Sequence, residues 1–177
     1  MERRSVEAIA RALNEADVRY LVVGGVAVAA YGFPRFTNDV DLIIDLEEEN
    51  LRRALRAFSI LGYRPKVPVP IEQFADQNAR EQWIREKGMV VFSLWSDSHR
   101  NTPVDIFVQA PFDFGPAYAR RTVVESSPGL PIPLVGLADL VYLKRKAGRP
   151  KDMADLEVLE LRQRELEGDQ EAQSEST

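Results

Sequence analysis

Residues Val22 to Ile44 read VVGGVAVAAYGFPRFTNDVDLII, and their reading decides the fold. An apolar, β-branched run stops at Gly24-Gly25, which marks a strand meeting a tight turn. VAVAAYG then reads as a short helix closed by Gly32, and FPRFTN as a loop. The end of the segment alternates as a strand does, with Val40, Leu42 and Ile44 on one face and Asp39, Asp41 and Ile43 on the other. Two carboxylates at i and i+2 repel each other, and partial burial makes each harder to ionise. Packing alone does not explain such a pair, so the strand is read as serving a cation or a reaction.

Working outward, Val6, Ile9, Ala10 and Leu13 recur with helical spacing, and LEEENLRRALRAFSILG is an amphipathic helix stopped by Gly62. KVPVPIEQ is a proline-interrupted loop, and EQFADQNAREQWIREKG reads as one helix ending at Gly88. MVVFSLW and PVDIFVQ are strands, RTVVESSPGLPIPLV is a hairpin turning at its Pro-Gly, and GLADLVYLKRKAG and PKDMADLEVLELRQREL are two closing helices. The predicted class is α/β (α+β): a mixed sheet flanked by helices, with a C-terminal helical part over about 136–166 of a single domain spanning 1–166. Residues 167–177, EGDQEAQSEST, carry four of the five net negative charges and no aliphatic side chain larger than alanine, which predicts a disordered acidic tail. The remaining body is nearly neutral, which argues against broad nucleic-acid binding.

The chain has 177 residues, 45% hydrophobic and 29% charged, as soluble domains do. No apolar run approaches the ~20 residues a membrane helix needs, and MERRSVEAIARALNEADV lacks the apolar stretch of a signal peptide. Without cysteine there are neither disulfides nor thiolate metal sites, and a cytoplasmic location is expected.

PVDIFVQ repeats the acidic pattern: Val104, Ile106 and Val108 share one face, and Asp105 lies on the other. If the two strands are near each other, Asp39, Asp41 and Asp105 converge, and three such carboxylates need a cation. Oxygen-only ligation selects Mg²⁺ or Mn²⁺ over zinc, with substrate phosphates completing the shell. Such triads support in-line phosphoryl or nucleotidyl transfer. Gly24-Gly25 at a helix start fits an anion site. Neither a Walker A loop nor a G-x-G-x-x-G fingerprint is present.

Taken together, VGGVAVAAYGFPRFTNDVDLII resembles the signature of the nucleotidyltransferase superfamily related to DNA polymerase β: strand, Gly-Gly, helix, Asp-x-Asp, and a third carboxylate on a later strand. Arg35 and Thr37 ahead of the aspartates, and DLVYLKRKAGRPKDMADLEVL near the end, are similar to minimal prokaryotic members, including toxins of the AbiEii type. The resemblance implies that Gly24 and Gly25 hold the β- and γ-phosphates of an NTP and that Asp39 and Asp41 hold metal. It makes Asp105 a ligand of the second metal that also activates the acceptor. It assigns Lys144 to the triphosphate, with Asp152 and Asp155 orienting that lysine or Arg149. Where larger relatives have serine after the first glycine this chain has Gly25, and Thr37 is the candidate replacement hydroxyl. The implied activity is transfer of NMP to an acceptor hydroxyl: a tRNA 3′ end, a partner protein such as an antitoxin, or a small molecule. The alternative is a non-catalytic nucleotide- or partner-binding module on the same fold.

The basic run Lys144, Arg145, Lys146, Arg149 and Lys151 reads either as a phosphate clamp or as cations offsetting a helix dipole. His99 in SDSHRNT is expected to be solvated, and Trp83 and Trp95 to pack in the core or at its rim rather than stack on bases. Residues 66–95 resemble nothing further.

Overall fold

The computed structural model describes residues 1–174. Helix α1 (Arg3–Glu15) buries Val6, Ile9, Ala10 and Leu13, as their spacing predicts. Strand β1 (Tyr20–Val23) leads without a linker into α2 (Gly24–Ala30), and β2 (Val40–Ile44) follows the loop. Next come α3 (Glu48–Ile60), a short β3 (Arg64–Pro65), a 3₁₀ turn over Ile71–Ala75, and α4 (Gln77–Lys87). Strands β4 (Val91–Trp95) and β5 (Val104–Phe107) precede α5 (Phe114–Ala119), the hairpin β6 (Thr122–Ser127) and β7 (Leu130–Leu134), and helices α6 (Leu137–Ala147) and α7 (Pro150–Ser174).

Three local readings change. The helix expected across 72–88 is broken at Asp76, whose side chain accepts from the Asn78 amide and starts α4 afresh. Asp113 does the same for α5, a helix the sequence pattern did not show, by accepting from the Gly115 amide. The stretch expected as a tail from residue 167 is helical as far as Ser174, in keeping with the high helix propensity of its Glu, Gln and Ala; residues 175–177 lie outside the described residues.

The seven strands form one mixed sheet in the order β3-β4-β5-β2-β1-β7-β6. Strands β2 and β5 run parallel, and β1 is antiparallel to β2 and parallel to β7. Both faces of the sheet are packed, the second chiefly over β1 and β2. On one, Val22, Val40, Leu42, Ile44, Phe92, Leu94, Val104 and Ile106 meet Ile9, Leu13, Leu51, Phe58, Phe74 and Trp83. On the other, Leu21, Val23 and Ile43 meet Val28 of α2, Leu140 of α6 and Leu156 and Leu159 of α7. Each large apolar side chain buried this way contributes ~1.5–3 kcal/mol. The face carrying the aspartates is therefore part core and part site.

Candidate active site

Strand β2 is placed beside β5 in parallel, with Asp41 directly opposite Asp105. Together with Asp39, one residue before β2, they offer carboxylate oxygens that all lie within 4.8 Å of one another. Burial pushes the Asp41 carboxyl up to about 6, helped by the neighbouring charges of Asp39 and Asp105 and opposed by Lys144 and Arg149. One oxygen of Asp105, Oδ1, is buried and accepts no hydrogen bond among the described residues. A hard divalent cation matches this all-oxygen donor set and its unsatisfied acceptor.

The two glycines are explained by this strand. Gly24 has φ +63°, and a Cβ there would stand 1.8 Å from Asp41 Oδ2. A Cβ on Gly25 would stand 2.6 Å from both Cβ and Oγ1 of Thr37. At such distances a Cβ would force Asp41 or Thr37 to move, so Gly-Gly lets the start of α2 press against Asp41 and Thr37. Thr37 in turn donates its hydroxyl hydrogen to Asp39 Oδ1 at 3.0 Å, fixing that carboxylate.

A second cluster faces the acids from α6 and α7. Lys144 is buried, its Nζ lying 2.9 Å from Asp152 Oδ1 and 2.7 Å from Asp155 Oδ2. Arg149 donates from Nε to Asp152 Oδ2 at 2.6 Å, and Arg35 of the loop before β2 pairs with Asp155. Burial alone would raise the Asp152 carboxyl, but hydrogen bonds from Arg149 and Lys144 outweigh it and hold it at about 2. The basic run thus divides by position. Lys144 turns inward and Arg149 borders the site, whereas Arg145 pairs with Glu160 at 2.8 Å and Lys146 is exposed over the Tyr142 ring.

Between the acids and α6 lies a cavity of about 560 Å³. Gly24, Asp41, Lys144 and Arg149 line its polar end, and Met89, Phe107, Leu140 and Leu143 its apolar end. The apolar wall was not foreseen; it is assembled from the segment before β4, from β5 and from α6, and no local pattern marks it. His99 is not simply solvated: it contacts Ser5 Oγ at 2.9 Å and stacks on Tyr63 at 5.5 Å, away from the acids. Trp83 is core, and Trp95 stands half-open at the rim.

The sequence matches over residues 4–165 the family model described as a nucleotidyltransferase of unknown function (DUF6036). No curated protein matches it. Several solved structures share the fold, among them the following three. An antigenic nucleotidyltransferase-like protein from Paracoccidioides brasiliensis is 18% identical with a TM-score of 0.54, over 89% of this chain and 74% of that one. ANT(2″)-Ia, solved with adenylyl-2″-tobramycin, is 12% identical with a TM-score of 0.55, over 89% and 86%. The lincosamide antibiotic adenylyltransferase LnuA, solved with lincomycin, is 14% identical with a TM-score of 0.53, over 83% and 89%.

Proposed function

Since the chain belongs to the DUF6036 family of nucleotidyltransferases, we propose that it transfers NMP from an NTP to an acceptor hydroxyl at Asp39, Asp41 and Asp105, with Mg²⁺ or Mn²⁺ as the ion. The observation that carries this reading is the convergence of three carboxylates from neighbouring strands, one oxygen of which has no partner. When bound, the ion supplies Lewis-acid stabilisation of the charge that develops on the transferred phosphoryl group. Asp39 and Asp41 hold it, with Thr37 locking Asp39 in place. The first-turn amides at Gly24 and Gly25 have no intrahelical acceptor and receive the β- and γ-phosphates.

Arg149 and Lys144 lie across from those glycines, where the triphosphate charge falls. Lys144 acts through its field, being held by Asp152 and Asp155, while Arg149 is exposed enough to reach a phosphate oxygen. Arg35 anchors the loop through Asp155. The nucleoside enters the cavity between Phe107 and Leu143. In the chemical step the acceptor oxygen attacks the α-phosphorus and its proton passes to Asp105. The bond to the α–β bridging oxygen breaks, and pyrophosphate leaves with the electron pair.

The catalytic unit is assigned to residues 1–166 and its location to the cytoplasm; no helix among the described residues is long and apolar enough to cross a membrane. A toxin role with an antitoxin partner follows from the likeness to minimal prokaryotic members. Two structures sharing the fold carry an antibiotic or its adenylylated product, which keeps a small-molecule hydroxyl among the acceptors.

Calorimetry with each of the four NTPs, with and without Mg²⁺ or Mn²⁺, tests the reading. Wild type is expected to bind at least one NTP only when the ion is present, and Asp41→Asn to lose that binding at least tenfold. Ion-independent binding that Asp41→Asn leaves intact would favour the non-catalytic module instead.

A further inference from the structure

The row of side chains that carries Asp41 and Asp105 continues beyond them. Register sets Asp105 opposite Ser93 on β4, and the Lys66 amide donates to Ser93 O at 2.9 Å, placing Lys66 next in line. One step along, Arg64 is opposite Trp95. Side chains alternate along strands, and Phe92 and Leu94 enter the opposite core. Lys66, Ser93 and Trp95 therefore share the face of Asp105.

This part of the face is open. The core that covers β1 and β2 on that side includes no residue of β3 or β4 among the described residues. Trp95 is 39% exposed, with the Arg64 guanidinium 4.6 Å from its ring centroid. Arg64 is itself paired with Asp97 at 2.6 Å. Lys66 has no ion-pair partner and the Ser93 hydroxyl no hydrogen bond among the described residues. Ser93 is the register neighbour of Asp105, whose Oδ1 has no hydrogen-bond partner among the described residues, and Lys66 lies one strand further out.

Direction follows from in-line displacement, in which attacking and leaving oxygens sit on opposite sides of phosphorus. Gly24 and Gly25 flank Asp41 from the β1 side, so pyrophosphate departs there. The attacking oxygen then enters from the β5 side, over Ser93. We propose that the strip formed by Ser93, Trp95 and Lys66 is the acceptor subsite, and that it takes the terminal nucleotide of a single-stranded nucleic acid. A base stacks on Trp95, a phosphate meets Lys66, and a sugar hydroxyl lies between Ser93 Oγ and Asp105. A small molecule is ordinarily held in a concave pocket. Ser93, Trp95 and Lys66 do not line the cavity beside the acids, and the strip runs out to β3, the edge strand of the sheet, where a polynucleotide can continue. The inference rests on the transfer reading above.

The test uses the full chain and a 5′-fluorescein-labelled single-stranded RNA decamer at low salt, followed by anisotropy and tryptophan emission, with Mg²⁺·NTP calorimetry in parallel. Wild type is expected to bind the decamer with quenching of Trp95, while buried Trp83 stays bright. Trp95→Leu and Lys66→Glu are each expected to weaken decamer binding at least tenfold and leave NTP affinity unchanged. The Lys66 variant alters only an exposed side chain, so the test survives if Trp95→Leu misfolds. With labelled NTP, Ser93→Ala is expected to lower kcat toward the decamer at unchanged KM for NTP, and Ser93→Thr to restore it. No decamer binding, or binding indifferent to both variants, with NTP binding intact, would overturn the subsite and leave the transferase reading standing. Equal binding of a free nucleoside 5′-monophosphate, or label transfer to a protein without decamer binding, would overturn the strand as acceptor. Failure of wild type to bind any Mg²⁺·NTP would remove the transfer reading and the subsite with it.

Discussion

Two charge clusters lie side by side in this molecule and obey opposite rules. Around α6 and α7, Lys144 touches Asp152 and Asp155, Arg149 touches Asp152, and Arg35 touches Asp155, so every charge is answered. On the sheet, Asp39, Asp41 and Asp105 face one another without an ion-pair partner among the described residues, and one oxygen of Asp105 has none of any kind. The first cluster ties the loop before β2 to both C-terminal helices. The second opposes folding and persists because the frame around it over-determines its position. The closed network balances its own charges; the open one does not, which is what the proposed metal site requires.

That comparison breaks first, and with the largest effect, on stability. Asp152→Ala leaves buried Lys144 with one partner and frees Arg149, which should cost ~3–5 kcal/mol, read from urea unfolding. Asp41→Asn removes one of three like charges from a half-buried site. In chelator it should move the same measurement the other way, by roughly 1–3 kcal/mol at pH 7. If both variants shift the midpoint in one direction, the two clusters are not different in kind.

Much of the open cluster was legible in the sequence, and less of the closed one. Period-two alternation exposed Asp39, Asp41 and Asp105 as acids on apolar strands, and Gly24-Gly25 as a strand end, because those signals are local. That β5 lies directly against β2 is a long-range fact; the acids' convergence was conditional on it until register put Asp41 opposite Asp105. By charge alone Lys144 is one member of a basic run; the family resemblance singled it out, with Asp152 and Asp155 as the residues orienting it or Arg149. The burial of Lys144 depends on α7 folding back so that Asp152 and Asp155 reach it, and charge counting along the chain does not show that. The second reason for Gly24 was equally hidden, since its steric neighbour Asp41 lies on another strand. Helix α5 and the break at Asp76 were missed for a smaller reason: a single capping aspartate outweighed the hydrophobic pattern at each.

A medium-sized effect is expected on titration. Asp41 is raised from the usual 3.8 to about 6, so the stability it contributes is fully present below pH 3.8 and is lost as pH rises through 6. Asp152, held at about 2, contributes above its ordinary value and loses that stability as pH falls through 2. In chelator the melting temperature should therefore fall between about pH 4 and pH 7, a span worth up to ~3 kcal/mol. Mg²⁺ or Mn²⁺ should flatten the fall, because the ion binds the deprotonated carboxylates. A melting temperature that climbs through that window in chelator would mean that Asp41 is not the strained member of the triad.

The smallest effect addresses why the glycines are there at all. Gly24 is fixed twice, by a positive φ and by Asp41, so no partner substitution relieves it. Gly25 is different: its φ is ordinary, and its obstacle is Thr37. Gly25→Ala should destabilise wild type by ~1–3 kcal/mol through overpacking. In a Thr37→Gly background the same change should be nearly neutral, because alanine is the better helix former. The cycle then yields a coupling of ~1–2 kcal/mol between loop and helix. If Gly25→Ala costs the same with and without the threonine, close packing is not what excludes a side chain there. Were NTP binding to fall in both backgrounds while stability recovered in the second, room for a phosphate would be the reason for Gly25, and the acid strand would account for Gly24 alone.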